Sequence, residues 1–214
     1  MIRLGMMALA VIAGTGMGPV RAGVLSDILL APGTVAQAAP GTVIARYAQD
    51  RRLPPPAEGA TPEGPGAVPL SGAVVVLSAT EGGQGPALAI SREEGGAVRP
   101  LAAFPAMGPN PVLLYFLEGT VRAMAEATGG SPYYIRNRIR EAIAAAGPGT
   151  AGTGGQEAVI TPFANDPNRA RMGAFADLTL RIGFEGPPLR LLHLSADTGT
   201  TAAAYHDEMR LIGE

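Results

Sequence analysis

The 214 residues are enough for one domain with its own core, and the 47% hydrophobic content indicates a folded chain rather than a disordered one. The formal net charge of -2 lacks the basic excess of nucleic-acid-binding proteins, so no nucleic-acid partner is expected. The sequence contains no cysteine, which excludes disulfides, thiolate metal sites and thiol nucleophiles.

The first 22 residues have the order of a Sec-type signal peptide. Arg3 precedes the apolar run MMALAVIAGTGMG, and the small-residue site VRA follows it. This run is too short and too rich in glycine for a membrane span. We therefore expect cleavage after Ala22, with a second candidate site after Ala38, and a periplasmic or secreted protein. The alternative interpretation is a buried N-terminal helix.

Residues 23–214 are expected to form one α+β domain. The apolar segment 24–31 predicts a short helix or an anchoring segment, and 42–53 predicts the first strand. Six prolines and three glycines fall in 54–69, a composition that sustains neither a helix nor a strand. Because too little chain precedes this stretch for an independent core, we interpret it as a long exposed loop within the domain.

Short β-branched runs separated by turn residues predict strands before and after a helical segment. The expected strands are 72–80, 87–91, 98–104, 157–163, 175–184, 189–197 and 205–212. The clearest alternation of apolar and polar residues runs from Leu178 to Phe184.

Strands followed by helices and then strands, without regular βα alternation, indicate the α+β class. We expect a curved, mostly antiparallel sheet of about seven or eight strands, half-barrel-like, with an inserted two-helix hairpin packed on one face. This order is similar to that of periplasmic lipoprotein carriers, although the similarity covers no motif and implies no function.

The segment 110–147 predicts the two helices. Asn110 and Ser131 are the expected N-caps, and each is followed by a proline at the first helical position. Gly129 ends the first helix and Gly147 ends the second. The predicted apolar face of the first helix comprises Leu113, Phe116, Leu117, Thr120, Val121 and Met124. That of the second comprises Ile135, Ile139, Ala142, Ile143 and Ala146.

The second helix carries a group of tyrosines and arginines with three possible interpretations. These residues are Tyr133, Tyr134, Arg136, Arg138 and Arg140. The arginine stems could cover the edge of the core while their heads pair with carboxylates. They could instead recognise an anionic ligand, a lipid headgroup or an acidic protein. A DNA-binding helix-turn-helix is disfavoured by the expected export and the acidic charge.

Two further places were considered for chemistry. His193 and His206 lie on adjacent predicted strands and are weak candidates for a zinc site with nearby carboxylates. The loop TPFANDPNRARMG contains Asp166 and Arg169, which could line the mouth of a ligand site. No catalytic motif is present, and no cofactor is expected.

These observations favour an exported protein with a non-enzymatic binding or assembly role in the cell envelope. Its partner would be an envelope protein or a small or lipidic ligand. The alternatives are a metal-dependent hydrolase using His193 and His206, and a structural envelope protein that docks a partner through its helix pair.

The signal peptide can be tested by N-terminal sequencing of the chain exported by a Sec-competent bacterium. We expect the mature protein to begin at Gly23, because signal peptidase requires a small residue at the cleavage position. Ala22→Phe should block processing, and the control Ala38→Phe should leave it unchanged. Retention of Met1 on the exported protein would contradict the prediction.

Overall fold

The computed structural model describes residues 24–33, 35, 38–55, 67–152, 155–186, 188–201 and 203–214. The predicted signal peptide and its cleavage position after Ala22 lie outside these residues. Most of the proline-rich segment 54–69 also lies outside them.

The described chain forms nine strands and three α-helices. The strands are β1 (Val43–Arg52), β2 (Leu70–Gly82), β3 (Gly85–Glu94), β4 (Ala97–Pro105), β5 (Thr150–Gly152), β6 (Gly155–Ile160), β7 (Thr179–Glu185), β8 (Arg190–Asp197) and β9 (His206–Gly213). The helices are α1 (Val24–Leu29), α2 (Pro111–Thr128) and α3 (Pro132–Ala145). The predicted α+β class is confirmed.

All nine strands form one open antiparallel sheet in the order β4-β3-β2-β1-β9-β8-β7-β6-β5. The first and last strands pair at its centre, so the sheet consists of two meanders joined along the β1–β9 seam. Its outer strands are about 38 Å apart at the usual strand spacing. Helices α2 and α3 connect these two edges across one face, which we call the inner face.

Two predicted strands extend into segments that the structure folds differently. The strand expected over 175–184 begins at Thr179, because Gly173–Asp177 forms a short 3-10 helix whose turns close locally. Phe175 belongs to this 3-10 helix and is buried in the core, so it is not part of the strand's apolar alternation. The strand expected over 157–163 ends at Ile160, where a turn begins. The three residues of β5 were not predicted, since so short a strand has no periodicity to read.

The core lies between the inner face and the helix pair. Every residue predicted for the apolar face of α2 is buried, as are Ile135, Ile139 and Ile143 on α3. Ala142 and Ala146, at the border of the α3 stripe, are half-buried. None of the helices in the described residues is both long and apolar enough to cross a bilayer.

The two helix N-termini are built differently. Asn110 Oδ1 accepts hydrogen bonds from the backbone N–H groups of Val112 at 2.9 Å and Leu113 at 3.4 Å. Ser131 occupies the N-cap position of α3, but its side chain makes no capping hydrogen bond. Only the first predicted N-cap therefore satisfies free helix donors through its side chain.

We expect Asn110→Ala to lower the free energy of unfolding by about 1 kcal/mol, because two buried N–H groups lose their acceptor. Ser131→Ala is the matched control and should change stability by less than about 0.5 kcal/mol, the usual range for a substitution that removes no such contact. Urea denaturation of both variants measures the difference. Equal losses would contradict the assignment.

Candidate functional site

A cavity of about 620 Å³ lies between α2 and the β1–β4 half of the sheet. This volume is within the range of small-molecule sites in proteins. Its apolar wall includes Leu101 and Phe104 from β4 and Leu114 from α2. Five arginines also line it: Arg51, Arg92, Arg99, Arg122 and Arg136. Glu118 is the one acidic residue in the described lining.

The inner end of the cavity rests on a buried ion pair. Arg51 Nε donates a hydrogen bond to Asp207 Oδ2 at 2.7 Å, and Gln49 Nε2 donates to Asp207 Oδ1 at 2.8 Å. Asp207 is 0% exposed, so its charge requires these partners. Burial acts to lower the pKa of Arg51, but the Asp207 carboxylate outweighs it and the pKa rises. The Arg51 guanidinium therefore stays charged inside the core.

The polar network extends from the ion pair to helix α2. Tyr205 Oη lies 3.3 Å from Asp207 Oδ2 and 3.3 Å from Thr120 Oγ1 on α2. Tyr115, also on α2, donates its hydroxyl proton to Gln49 Oε1 at 3.0 Å. Burial raises the pKa of Tyr205, so its hydroxyl stays protonated. Strands β1 and β9 and helix α2 are thus held by hydrogen bonds as well as by apolar packing.

Two of the arginines that line the cavity each have a buried guanidinium nitrogen without a hydrogen-bond partner. These nitrogens are Arg51 Nη2 and Arg92 Nε. Arg51 Nη2 is 2.7 Å from Asp207 Oδ2, but Nε makes the hydrogen bond to that oxygen. Arg92 Nε is 3.4 Å from Glu94 Oε2, an ion pair by distance without hydrogen-bond geometry. Buried donors are nearly always satisfied in proteins, so these two nitrogens require an explanation.

Helix α2 accommodates the Arg51 head because residue 119 is glycine. A Cβ atom at Gly119 would lie 2.5 Å from Arg51 Nη2. Any side chain at this position would displace the guanidinium from the helix surface. The glycine therefore allows the arginine to lie flat between sheet and helix, next to the cavity.

Arg92 and Arg99 are direct partners on the antiparallel strands β3 and β4. Like charges directly opposite each other in a sheet repel. Arg92 is 9% exposed, and the side chain of Arg99 makes no ion pair or hydrogen bond with another described residue. The cavity wall thus holds two facing cations with little compensation.

The rim of the cavity is an ion-pair cluster between the helices. Arg136 donates hydrogen bonds to Glu118 from Nε at 3.2 Å and from Nη2 at 3.0 Å. Arg122 Nε lies 3.4 Å from Glu118 Oε1. These pairs join α2 to α3 and leave Glu118 fully engaged by the two arginines.

Among the residues predicted from sequence, Arg136 lies at the cavity, whereas Tyr134, Arg138 and Asp166 form a separate cluster. The Tyr134 hydroxyl lies 2.9 Å from Asp166 Oδ1, and Arg138 Nε donates to Asp166 Oδ2 at 2.7 Å. The backbone N–H of Asn168 donates to Asp166 Oδ1 at 2.7 Å. This cluster anchors the loop before β7 to helix α3.

The remaining predicted contact residues lie elsewhere on the surface. Tyr133 is 71% exposed, and Arg140 is exposed on the same helix. Arg169 donates to the Phe163 carbonyl at 3.2 Å and pairs with Asp177. None of these three side chains lines the arginine cavity. Their role in partner binding stays a prediction.

The two histidines pair with different carboxylates. His193 Nε2 lies 2.9 Å from Glu208 Oε1, and His206 Nδ1 lies 2.6 Å from Asp197 Oδ1. Because His206 is opposite Asp197 in the β8–β9 register, the histidines are separated by four residues along the sheet, about 13 Å. Within the described ranges, no three His, Asp or Glu side chains converge as a metal site would require.

No protein-family model matches the chain, no curated protein matches its sequence, and no solved structure matches its fold. The function must therefore be argued from the site alone.

Four of the five cavity arginines were missed from the sequence, although one signal was present. Arg92 and Arg99 are symmetric about the Gly95-Gly96 pair, and both glycines have positive φ, at 57° and 82°. A two-residue hairpin turn of this kind places symmetric residues opposite each other. The turn residues between the predicted strands 87–91 and 98–104 indicate a turn without its register, so the opposition of Arg92 and Arg99 was not predicted.

We expect Asp166→Asn to lower the free energy of unfolding by about 1–3 kcal/mol at pH 7, since hydrogen bonds to a charged group are lost. Burial acts to raise the pKa of Asp166, but the Asn168 N–H, Tyr134 and Arg138 outweigh it and the pKa falls below its usual range. Stabilisation by a carboxylate with a lowered pKa is complete above the unfolded-state pKa of about 3.9 and is lost as pH falls through the folded-state pKa.

The measurement is urea denaturation of the wild type and Asp166→Asn from pH 7 to pH 3, and the difference should shrink below about pH 4. Glu141→Gln is the matched control, because Glu141 pairs with the same Arg138 but is exposed; its effect should stay below about 1 kcal/mol. A loss that does not change with pH would assign the Asp166 effect to packing.

Proposed function

We propose that the protein is an exported, non-enzymatic binding protein of the cell envelope, and that the cavity beneath α2 holds a small ligand with a large apolar part. The observation that carries this proposal is the 620 Å³ cavity itself, with Leu101, Phe104 and Leu114 along its wall. Apolar walls with a few fixed polar groups are typical of small-molecule sites. Export is proposed from the N-terminal sequence alone.

Binding is favoured over catalysis by the chemistry of the lining. Arginine guanidinium groups stay protonated at neutral pH, so they cannot exchange protons as general acids or bases. Glu118, the acidic residue of the described lining, is held by Arg136 and Arg122. Asp207 lies behind Arg51 and is fully buried. These groups are suited to holding a ligand rather than to transforming it.

The proposal is tested with the neutral fluorescent probe N-phenyl-1-naphthylamine, whose emission rises in an apolar site. Ala102 lines the cavity, and the neighbouring Ala103 lies on the other side of β4. We expect Ala102→Trp to fill the cavity and weaken probe binding by about tenfold or more, equivalent to about 1.4 kcal/mol.

Ala103→Trp is the matched control and should bind the probe as the wild type does. Circular dichroism checks that both variants are folded. Absence of probe binding to the wild type, or equal binding by all three proteins, would rule out this cavity as the site.

A further inference from the structure

Arg92 and Arg99, on the strand wall of the cavity, are engaged by carboxylates less fully than Arg51 and Arg136 are. We infer that the ligand is an amphipathic anion, whose carboxylate or phosphate head is bound by Arg92 and Arg99 with help from Arg51, and whose apolar body lies along Leu101 and Phe104. This inference rests on the proposed function, because it names the class of ligand for the same cavity.

Arg92 is buried in the cavity wall with a weakly engaged guanidinium. Its side chain is 10% exposed, and its Nε lies 3.4 Å from Glu94 Oε2 without hydrogen-bond geometry. A buried charged donor without an acceptor is unfavourable, and an apolar residue would pack there at lower cost. Retaining an arginine at this position is explained by an acceptor that a ligand brings. Carboxylate and phosphate oxygens are the acceptors that a guanidinium binds best.

Arg92 and Arg99 also lie opposite each other on neighbouring strands. Their opposition follows from the hairpin register, which the two glycines of the Gly95-Gly96 turn fix through positive φ angles. Like charges directly opposite each other in a sheet repel. An anion bound by both arginines would offset this repulsion. The hairpin thus places two guanidinium donors at neighbouring positions of the cavity wall.

Arg51 adds a third cation to the lining of the cavity. Asp207 fixes its position by a hydrogen bond and is itself held by Gln49, and Gly119 gives the Arg51 head room beneath α2. Its Nη2 lies 2.7 Å from Asp207 Oδ2 without hydrogen-bond geometry. The guanidinium is therefore held rigidly beside the cavity.

The apolar wall favours an amphipathic ligand over a free inorganic ion. Leu101 and Phe104 follow Arg99 on the same strand, so the wall continues directly from the anion-binding pair. Leu114 of α2 also lines this space. Burial of an alkyl or aryl body against these side chains would add to the affinity of the head, whereas free phosphate or acetate would gain nothing from them.

The test compares three ligands with the same ten-carbon chain: decanoate, decyl phosphate and decanol, each below its micellar concentration. Isothermal titration calorimetry with the full folded protein measures their affinities. We expect at least one of the two anions to bind about tenfold more tightly than decanol, since hydrogen bonds to a charged group add to the shared apolar contribution. This preference should fall as ionic strength rises. The two anions distinguish a carboxylate head from a phosphate head.

Variants assign the preference to the arginines. Arg99 is exposed, so the Arg99→Gln variant should keep the fold. Its affinity for the anion should fall about tenfold, and its affinity for decanol should not change. Arg92→Gln should have the same effect on binding while leaving the melting temperature unchanged or higher, because a buried, poorly compensated cation is removed. Arg181→Gln, an exposed arginine of β7 outside the cavity lining, is the control and should change neither.

Equal affinity for decanol and both anions would overturn the inference while leaving the proposed cavity intact, provided that N-phenyl-1-naphthylamine still binds. An anion preference that Arg181→Gln lowers as much as Arg99→Gln would also overturn it, since the effect would then be nonspecific. If neither the probe nor any of the three ligands binds, the proposed function fails together with the inference.

Discussion

The ion pair between Arg51 and Asp207 is the interaction on which the rest of the structure depends. The two residues are direct partners on β1 and β9, so the pair lies at the seam where the two meanders of the sheet meet. Because it faces the core beneath α2, each remaining acceptor of Asp207 must be satisfied, and Gln49 and Tyr205 do so. The polar residues of the inner face are arranged around this requirement.

A buried ion pair is a weak source of stability, because removing two charges from water offsets most of their attraction. The pair instead determines where the Arg51 guanidinium lies. It fixes the Arg51 guanidinium against the glycine of α2, at the boundary between a closed core and an open cavity. On the cavity side, Arg92 has only Glu94 at 3.4 Å without hydrogen-bond geometry, and Arg99 has no carboxylate partner among the described residues. Sites of this kind tend to be functional.

The sequence predicted what depends on local patterns. Proline after each N-cap and glycine after α2 placed both helices, and alternation placed most strands, because these signals act over a few residues. Strand order is a long-range property, so the β1–β9 seam was not predicted, nor was the ion pair across it. The tyrosines and arginines of α3 form one group in the sequence, yet Arg138 and Arg136 bind different carboxylates on different elements. That division depends on packing, which no spacing reveals.

The pairing of β9 with β1 also constrains the order in which the strands of the sheet can pair. Residues 51 and 207 are 156 positions apart, so the central strand pair closes a loop of nearly the whole described chain. Each meander can form its own hairpins early, but neither has its central neighbour until the last strand has been synthesised. The central strand pair of this sheet therefore closes only once β9 is available to pair with β1.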